Sequence, residues 1–310
     1  MKYIYYFVLI ITTIFSQSTS NVDHSIKLGP LESYGYTPTP ETFKIRINNS
    51  FISSRSYYNS SGKRISSGNS YIVYNPKGEI ISNDVLAFDY NSDIIYLDVD
   101  YMNNELHGVG LTVPVYIQRV LNEQTTGMIG FGDYSLRWFI IYKPYDTFHI
   151  KSALSYNRSL SGYNMINDNH FKTLSRNSIG IEECFDLFFG KKLLISTKIH
   201  YIYTKKDSSD IGIVSPENIF DFKIQPIFRF TNNLSSSIEY SFDRYKSRTT
   251  YSGFLMSIKP KLGYRVLKDI KVGYFDLLGM DINISINIPI SGERTVAPYN
   301  LLTSLNFLFK

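Results

Sequence analysis

A single cysteine, Cys184, stands in a chain of 310 residues. That excludes an internal disulfide framework and any zinc site built from cysteines. Tryptophan is as scarce, and glycine and proline number only 19 and 11. The five histidines (His24, His107, His149, His170 and His200) are scattered, with no His-x-x-x-His pair and no Glu-flanked spacing, so no metal site is expected. No long basic run accompanies the net charge of +5, which withholds support from nucleic-acid binding. Long hydrophobic runs are missing as well. The apolar stretch 3–15 falls short of the ~20 residues that a membrane helix needs, and no later segment approaches that length.

That first stretch has another use. Lys2 precedes it and Ser16-Gln17-Ser18-Thr19-Ser20 follows, the pattern of a secretory signal peptide cleaved near residue 20. Export without a helical anchor is the expectation.

What the chain has in quantity is aromatic: 26 Tyr and 21 Phe, residues that favour strands. Hydrophobic residues make up 43% and charged residues 19%, too apolar for disorder and too polar for a bundle of membrane helices. From Glu41 onward, period-2 alternation recurs between Asn/Gly/Asp/Pro/Lys clusters. It is cleanest at the C-terminus, where Leu301, Thr303, Leu305, Phe307 and Phe309 share one face while Ser304, Asn306 and Lys310 share the other. Phe222, Ile224, Pro226, Phe228 and Phe230 alternate in the same way with Asp221, Lys223, Gln225 and Arg229. These segments exceed the ~5–6 residues of ordinary soluble strands. Long amphipathic strands in an exported chain predict an all-β, antiparallel transmembrane barrel, apolar outside and polar inside.

The alternation places strands at 43–53, 63–75, 79–90, 94–102, 107–119, 132–143, 147–157, 176–188, 193–204, 217–230, 234–246, 251–266, 270–290 and 298–310. The expected count is therefore 14, with 12 as the alternative because the first two hairpins are weakly patterned. Counted from a periplasmic N-terminus, tight turns fall at 75–78, 103–105, 144–146, 189–192, 231–233 and 267–269, and the longer loops 120–131, 158–175 and 205–216 fall at the other end. That asymmetry is characteristic of outer-membrane barrels. The domain plan is a signal peptide over 1–20, a short periplasmic segment over 21–40 and the barrel over 41–310. Tyr142, Tyr145, Tyr201, Tyr203, Tyr240, Tyr245 and Tyr299 are expected near strand ends, at headgroup level.

Two places resist the pattern. Glu183 shares parity with Ile181 and Phe185, which points it at lipid unless a β-bulge intervenes. The stretch 270–290 keeps one apolar parity for longer than a membrane strand requires, so it either projects beyond the bilayer or kinks at Gly279.

Three stretches carry a family resemblance. Ser56-Tyr57-Tyr58-Asn59-Ser60-Ser61-Gly62-Lys63-Arg64, Gly110-Leu111-Thr112-Val113-Pro114-Val115-Tyr116 and Gly130-Phe131-Gly132-Asp133-Tyr134-Ser135-Leu136 resemble the outer-membrane proteins named for the meta-pathway of phenol degradation. The resemblance implies a Gram-negative outer-membrane barrel and a passive channel for small solutes, apolar or aromatic compounds among them. It also implies outer-membrane lipids, lipopolysaccharide, periplasmic chaperones and the barrel-assembly machinery as partners. One departure is the final residue: such barrels often end in Phe, whereas Lys310 follows Phe309 here. Gly130, Gly132 and Asp133 also make sense as a strand-entry turn, since glycines tolerate positive φ and Asp can bond nearby backbone N–H groups.

Inward parity collects Lys44, Arg46, Asp98, Asp100 and Asp243 with the lumen-lining candidates Arg137, Lys143, Lys151, Glu182, Asp186, Lys198, Asp221, Lys223, Arg229, Glu239, Lys259, Lys261 and Arg265. They form a salt-bridged, solvated interior, and a selectivity lining with basic and acidic ladders on opposite walls is compatible with it. Lys259, Lys261 and Arg265 are the candidate anion-attracting wall. At the outer rim, Lys205, Lys206, Arg244, Lys246 and Arg248 are candidates for lipopolysaccharide phosphates, or simply solvated loop charges. No catalytic residues and no cofactor are expected. The expected function is passive diffusion of small solutes, the alternative a closed structural or surface-interaction barrel.

Overall fold

The computed structural model describes residues 30–31, 33–35, 40–54, 56–66, 73–74, 80–82, 90–120, 128–131, 133–159, 177–204, 218–246, 252–267, 270–293 and 295–310. Twelve strands close into one antiparallel barrel. In chain order they are β1 (Thr42–Ser54), β2 (Tyr90–Met102), β3 (His107–Val120), β4 (Asp133–Tyr145), β5 (Phe148–Ser159), β6 (Ser178–Phe189), β7 (Leu193–Thr204), β8 (Asn218–Arg229), β9 (Leu234–Lys246), β10 (Ser252–Leu267), β11 (Phe275–Glu293) and β12 (Tyr299–Phe309). Sequential neighbours pair from β1 to β11; β12 returns between β11 and β1 and closes the ring. Closure leaves no open edge, so the ladder satisfies the backbone donors and acceptors of every strand without water.

The alternation sorts side chains as the period of a strand demands. On β1, Phe43, Ile47 and Phe51 are exposed on the outside while Thr42, Lys44 and Ser50 are buried inside. On β11, Ile282, Ile284, Ile286, Ile288 and Ile290 are 36% to 49% exposed in an unbroken outer stripe. The wall carries comparable residues on its other strands, among them Leu97, Val109, Leu136, Trp138, Leu154, Ile181, Ile199, Phe220 and Leu262. An apolar belt of this extent around a closed barrel is matched to lipid, not to water. No described helix is long and apolar enough to cross a membrane.

The strand count corrects the expected 14 to the alternative 12. Of the segments 63–75 and 79–90, the described residues other than Tyr90, which opens β2, lie outside the barrel. Arg64–Ser66 pairs with Ser56–Tyr58, which pairs with Thr295–Val296; Val73–Tyr74 pairs with Ile80–Ser82. β1 instead pairs directly with β2, setting Phe43 against Tyr101, Ile45 against Val99 and Ile47 against Leu97. An apolar ladder of that kind has no counterpart in the run Ser66-Ser67-Gly68-Asn69-Ser70 of the excluded hairpin. The connection 75–78 lies outside the described residues. Because two strands drop out together, the remaining turns keep their side: 103–106, 146–147, 190–192 and 230–233 lie at the end that carries Thr42 and Lys310.

The stretch 270–290 is also not one strand. Ile270–Val272 folds back on the start of β11 through Gly273 and Tyr274, so Val272 faces Phe275. Beyond this hairpin, the β11–β12 register slips between Leu277 and Gly279, the irregularity expected at Gly279. No bulge rescues Glu183, for β6 pairs in continuous register with both neighbours there. Glu183 stays on the outer face, where the Ser152 hydroxyl of β5 donates to its carboxylate at 2.7 Å. Of the tyrosines expected near strand ends, Tyr145, Tyr203, Tyr245 and Tyr299 sit there, whereas Tyr240 falls in the middle of β9.

Candidate functional site: the barrel lumen

The interior is built from short, interlocked ionic groups. On β2, Asp100 accepts from Arg46 of β1 at 2.6 Å and from Arg137 of β4 at 3.0 Å. Asp98, one step along the same face, accepts from Asn48 at 2.8 Å and from the Thr112 hydroxyl. Across the barrel, Glu182 of β6 is held between Lys198 of β7 and Lys151 of β5, the latter at 3.8 Å. Glu239 of β9 is only 2% exposed and is shared by two lysines of β10, Lys259 at 3.1 Å and Lys261. Lys261 also donates to Gln225 at 3.2 Å. Nearer the turns, Arg265 grips Asp281 with two parallel bonds of 2.7 and 2.9 Å, the geometry that suits a guanidinium and a carboxylate. Lys223 bonds Asp221 at 2.8 Å, and Asp221 lies opposite Asp243 in the ladder.

Basic and acidic ladders on opposite walls are not what these contacts build. Each carboxylate instead sits beside cations of its own or neighbouring strands, so the charges interleave around the circumference. Among the described residues the interior is salt-bridged.

The N-terminal segment supplies what parity could not show. Leu31, Ser33, Tyr34 and Gly35 lie inside the lumen against its wall. Leu31 packs against Leu194, Ile227 and Phe188, a small apolar cluster at the turn end of β6 to β8. Ser33 donates to Asp186, a buried carboxylate that also accepts from Ser196 at 2.6 Å. The Tyr34 amide donates to the Ser196 hydroxyl at 2.8 Å, and Lys151 donates to the Tyr34 carbonyl at 3.2 Å. Approach at Gly35 is so close that a Cβ there would lie 2.7 Å from the Asp186 carboxylate. Lys261 stands 5.7 Å over the Tyr34 ring. Burial, reinforced by the nearby negative charge of Glu239, pushes the Tyr34 phenol well above its ordinary value, so it remains a donor.

Above this segment lies a polar cavity of about 290 Å³ that draws its lining from strands around the whole barrel. Of the lumen candidates, Arg137, Lys151, Glu182, Lys198, Lys259 and Lys261 border it directly. Asp186, Asp221, Lys223, Glu239 and Arg265 are tied into the wall by the bonds above. Arg229 turns away to Thr231 and Asn232 in the 230–233 turn, and Lys143 lies near the same end of β4. Gly130 pairs with Tyr116 and Asp133 with Ser159, while Gly132 lies outside the described residues. So do the signal-peptide segment, Lys205, Lys206 and Arg248. Arg244 is exposed near the rim of β9.

His149 packs on Phe188 with ring centroids 4.8 Å apart, and His200 faces Glu182 and Asp221 across the ladder. No cluster of three or more metal-binding side chains occurs among the described residues.

No protein-family model matches the chain, and no curated protein resembles it. Solved structures do. A crystal structure of an outer membrane channel from Pseudomonas putida F1 aligns over 89% of this chain and 98% of its own, at a TM-score of 0.62 and 12% identity. The chain shares that barrel fold. A Pseudomonas aeruginosa FadL homologue aligns over 91% of this chain and 95% of its own at 10% identity, with a TM-score of 0.43. A mutant of TodX, a monoaromatic hydrocarbon channel, aligns over 93% and 94% at 10% identity and 0.44. The phenol meta-pathway naming has only the short motifs behind it.

Proposed function

We propose that this protein is an outer-membrane barrel of a Gram-negative bacterium that admits small solutes by passive diffusion through its lumen. The observation that carries the reading is the cavity: a barrel closed in its backbone, apolar outside, encloses a polar space bordered by Arg137, Lys151, Glu182, Lys198, Lys259 and Lys261. A barrel that served only as scaffold would gain more from an interior of packed apolar side chains, since buried ion pairs rarely out-stabilise them. Shared fold with a solved outer membrane channel supports the same reading. The lining candidates named from sequence are assigned here as the walls of the diffusion path, and no catalytic role is given to any of them.

A second reading has its own observation. Leu31, Ser33 and Tyr34 occupy the lumen, Leu31 packed on its wall and Ser33 and Tyr34 bonded to it, which is what a closed structural barrel would also require. Swelling of proteoliposomes in isotonic glycine or arabinose separates the two. Swelling above protein-free vesicles is expected for the channel; no swelling from a heat-modifiable, folded barrel would favour the closed form.

A further inference from the structure

The charges bordering the cavity are unequal in a specific way. Lys259 and Lys261 share the one carboxylate of Glu239, and Lys151 and Lys198 share the one carboxylate of Glu182. All four lysines line the same cavity. Each trio thus carries one positive charge beyond what its carboxylate neutralises. The two trios lie on one arc of wall, β5 to β10, with Gln225 of β8 between them, taking a bond from Lys261 and donating to Ser237 at 2.9 Å. Cations held in a confined polar space are poorly compensated by the little water it admits, and a small anion would offset them.

Tyr34 also borders the cavity, with its buried hydroxyl beside the Glu239 carboxylate that Lys259 and Lys261 share. The tyrosine ring beside it offers a flat apolar surface. At about 290 Å³, the cavity sits at the small end of small-molecule sites.

We infer that the lumen holds a binding site for a small organic carboxylate, whose anionic group is taken by the Lys259–Lys261 and Lys151–Lys198 pairs and whose body lies along Tyr34. The site deepens the channel reading by naming a solute class, yet its occupancy does not depend on passage. Four lysines donate, and none requires the solute to change covalently.

Equilibrium dialysis of the refolded mature chain in detergent, with radiolabelled benzoate as probe and benzyl alcohol as its uncharged counterpart, tests it. Saturable retention of benzoate, not of benzyl alcohol, is expected, weakened about tenfold or more by Lys261→Met. If Lys261→Met loses its heat-modifiable migration, Lys198→Met in the other trio serves, with the same weakening expected. Absence of benzoate retention, equal retention of the alcohol, or indifference to loss of the lysine would overturn the site. Benzoate retention by a barrel that fails to swell vesicles would keep the site and remove the channel.

Discussion

The hydroxyl of Ser33 donates to the carboxylate of Asp186, joining two residues 153 positions apart in the chain. One precedes the barrel and the other belongs to the wall of β6. With Ser196 as the third member, this contact anchors the N-terminal segment in the lumen.

If that anchor holds the segment in place, Ser33→Ala should loosen it without unfolding the barrel. Cleavage after Lys27 by trypsin added to the folded protein in detergent is then expected to quicken, while heat-modifiable migration stays intact. Unchanged cleavage would show that Leu31 and its apolar partners suffice alone.

Glu239 makes a sharper energetic test. Replacing it with Gln leaves Lys259 and Lys261 facing each other without their shared counter-charge, and a destabilisation of about 2–4 kcal/mol is expected, reduced because both lysines keep some solvent. Replacing all three with apolar residues should recover most of that loss. Urea titration of the barrel in lipid vesicles measures both, and the triple variant being as unstable as Glu239→Gln would contradict the pairing argument.

Gly110 of β3 lets Asp100 and Arg137 meet across it. A Cβ at this position would lie 2.3 Å from the Asp100 carboxylate and 3.1 Å from the Arg137 guanidinium. Gly110→Ala is predicted to cost about 1–3 kcal/mol in the same titration, because the pair must separate or the strand must shift. A neutral result would mean that the two side chains relocate freely.

On the lipid side, Glu183→Leu is expected to stabilise the barrel by ~1 kcal/mol in vesicles, despite losing the bond from Ser152. The gain should vanish in detergent micelles that let water reach the wall. Destabilisation in vesicles would point to a partner for Glu183 beyond Ser152.

Much of this architecture was legible in alternation alone. β12 reads directly from Leu301 to Phe309, and the turns near 103–105, 144–146, 189–192 and 231–233 emerge because polar clusters interrupt the period. The 63–75 and 79–90 segments misled for a physical reason: short pairs beyond the rim, such as Tyr57 with Ile65, use the same period as barrel strands. Parity named Glu182, Lys198, Glu239 and Lys261 as inward, but which cation meets which carboxylate depends on register between strands. Nothing periodic marks Leu31, Ser33 or Tyr34. Their place in the lumen rests on contacts with residues 117 or more positions away, for which a linear sequence holds no local signal.

The central claim is that solute passes through this lumen, and single-channel recording in a planar bilayer tests it most directly. The refolded mature chain, first shown to migrate differently before and after boiling, is expected to give discrete current steps in symmetrical potassium chloride. Ser33→Ala is expected to enlarge those steps by loosening the N-terminal segment. Silent membranes from a demonstrably folded barrel, with and without that substitution, would contradict the channel and leave a closed barrel in its place.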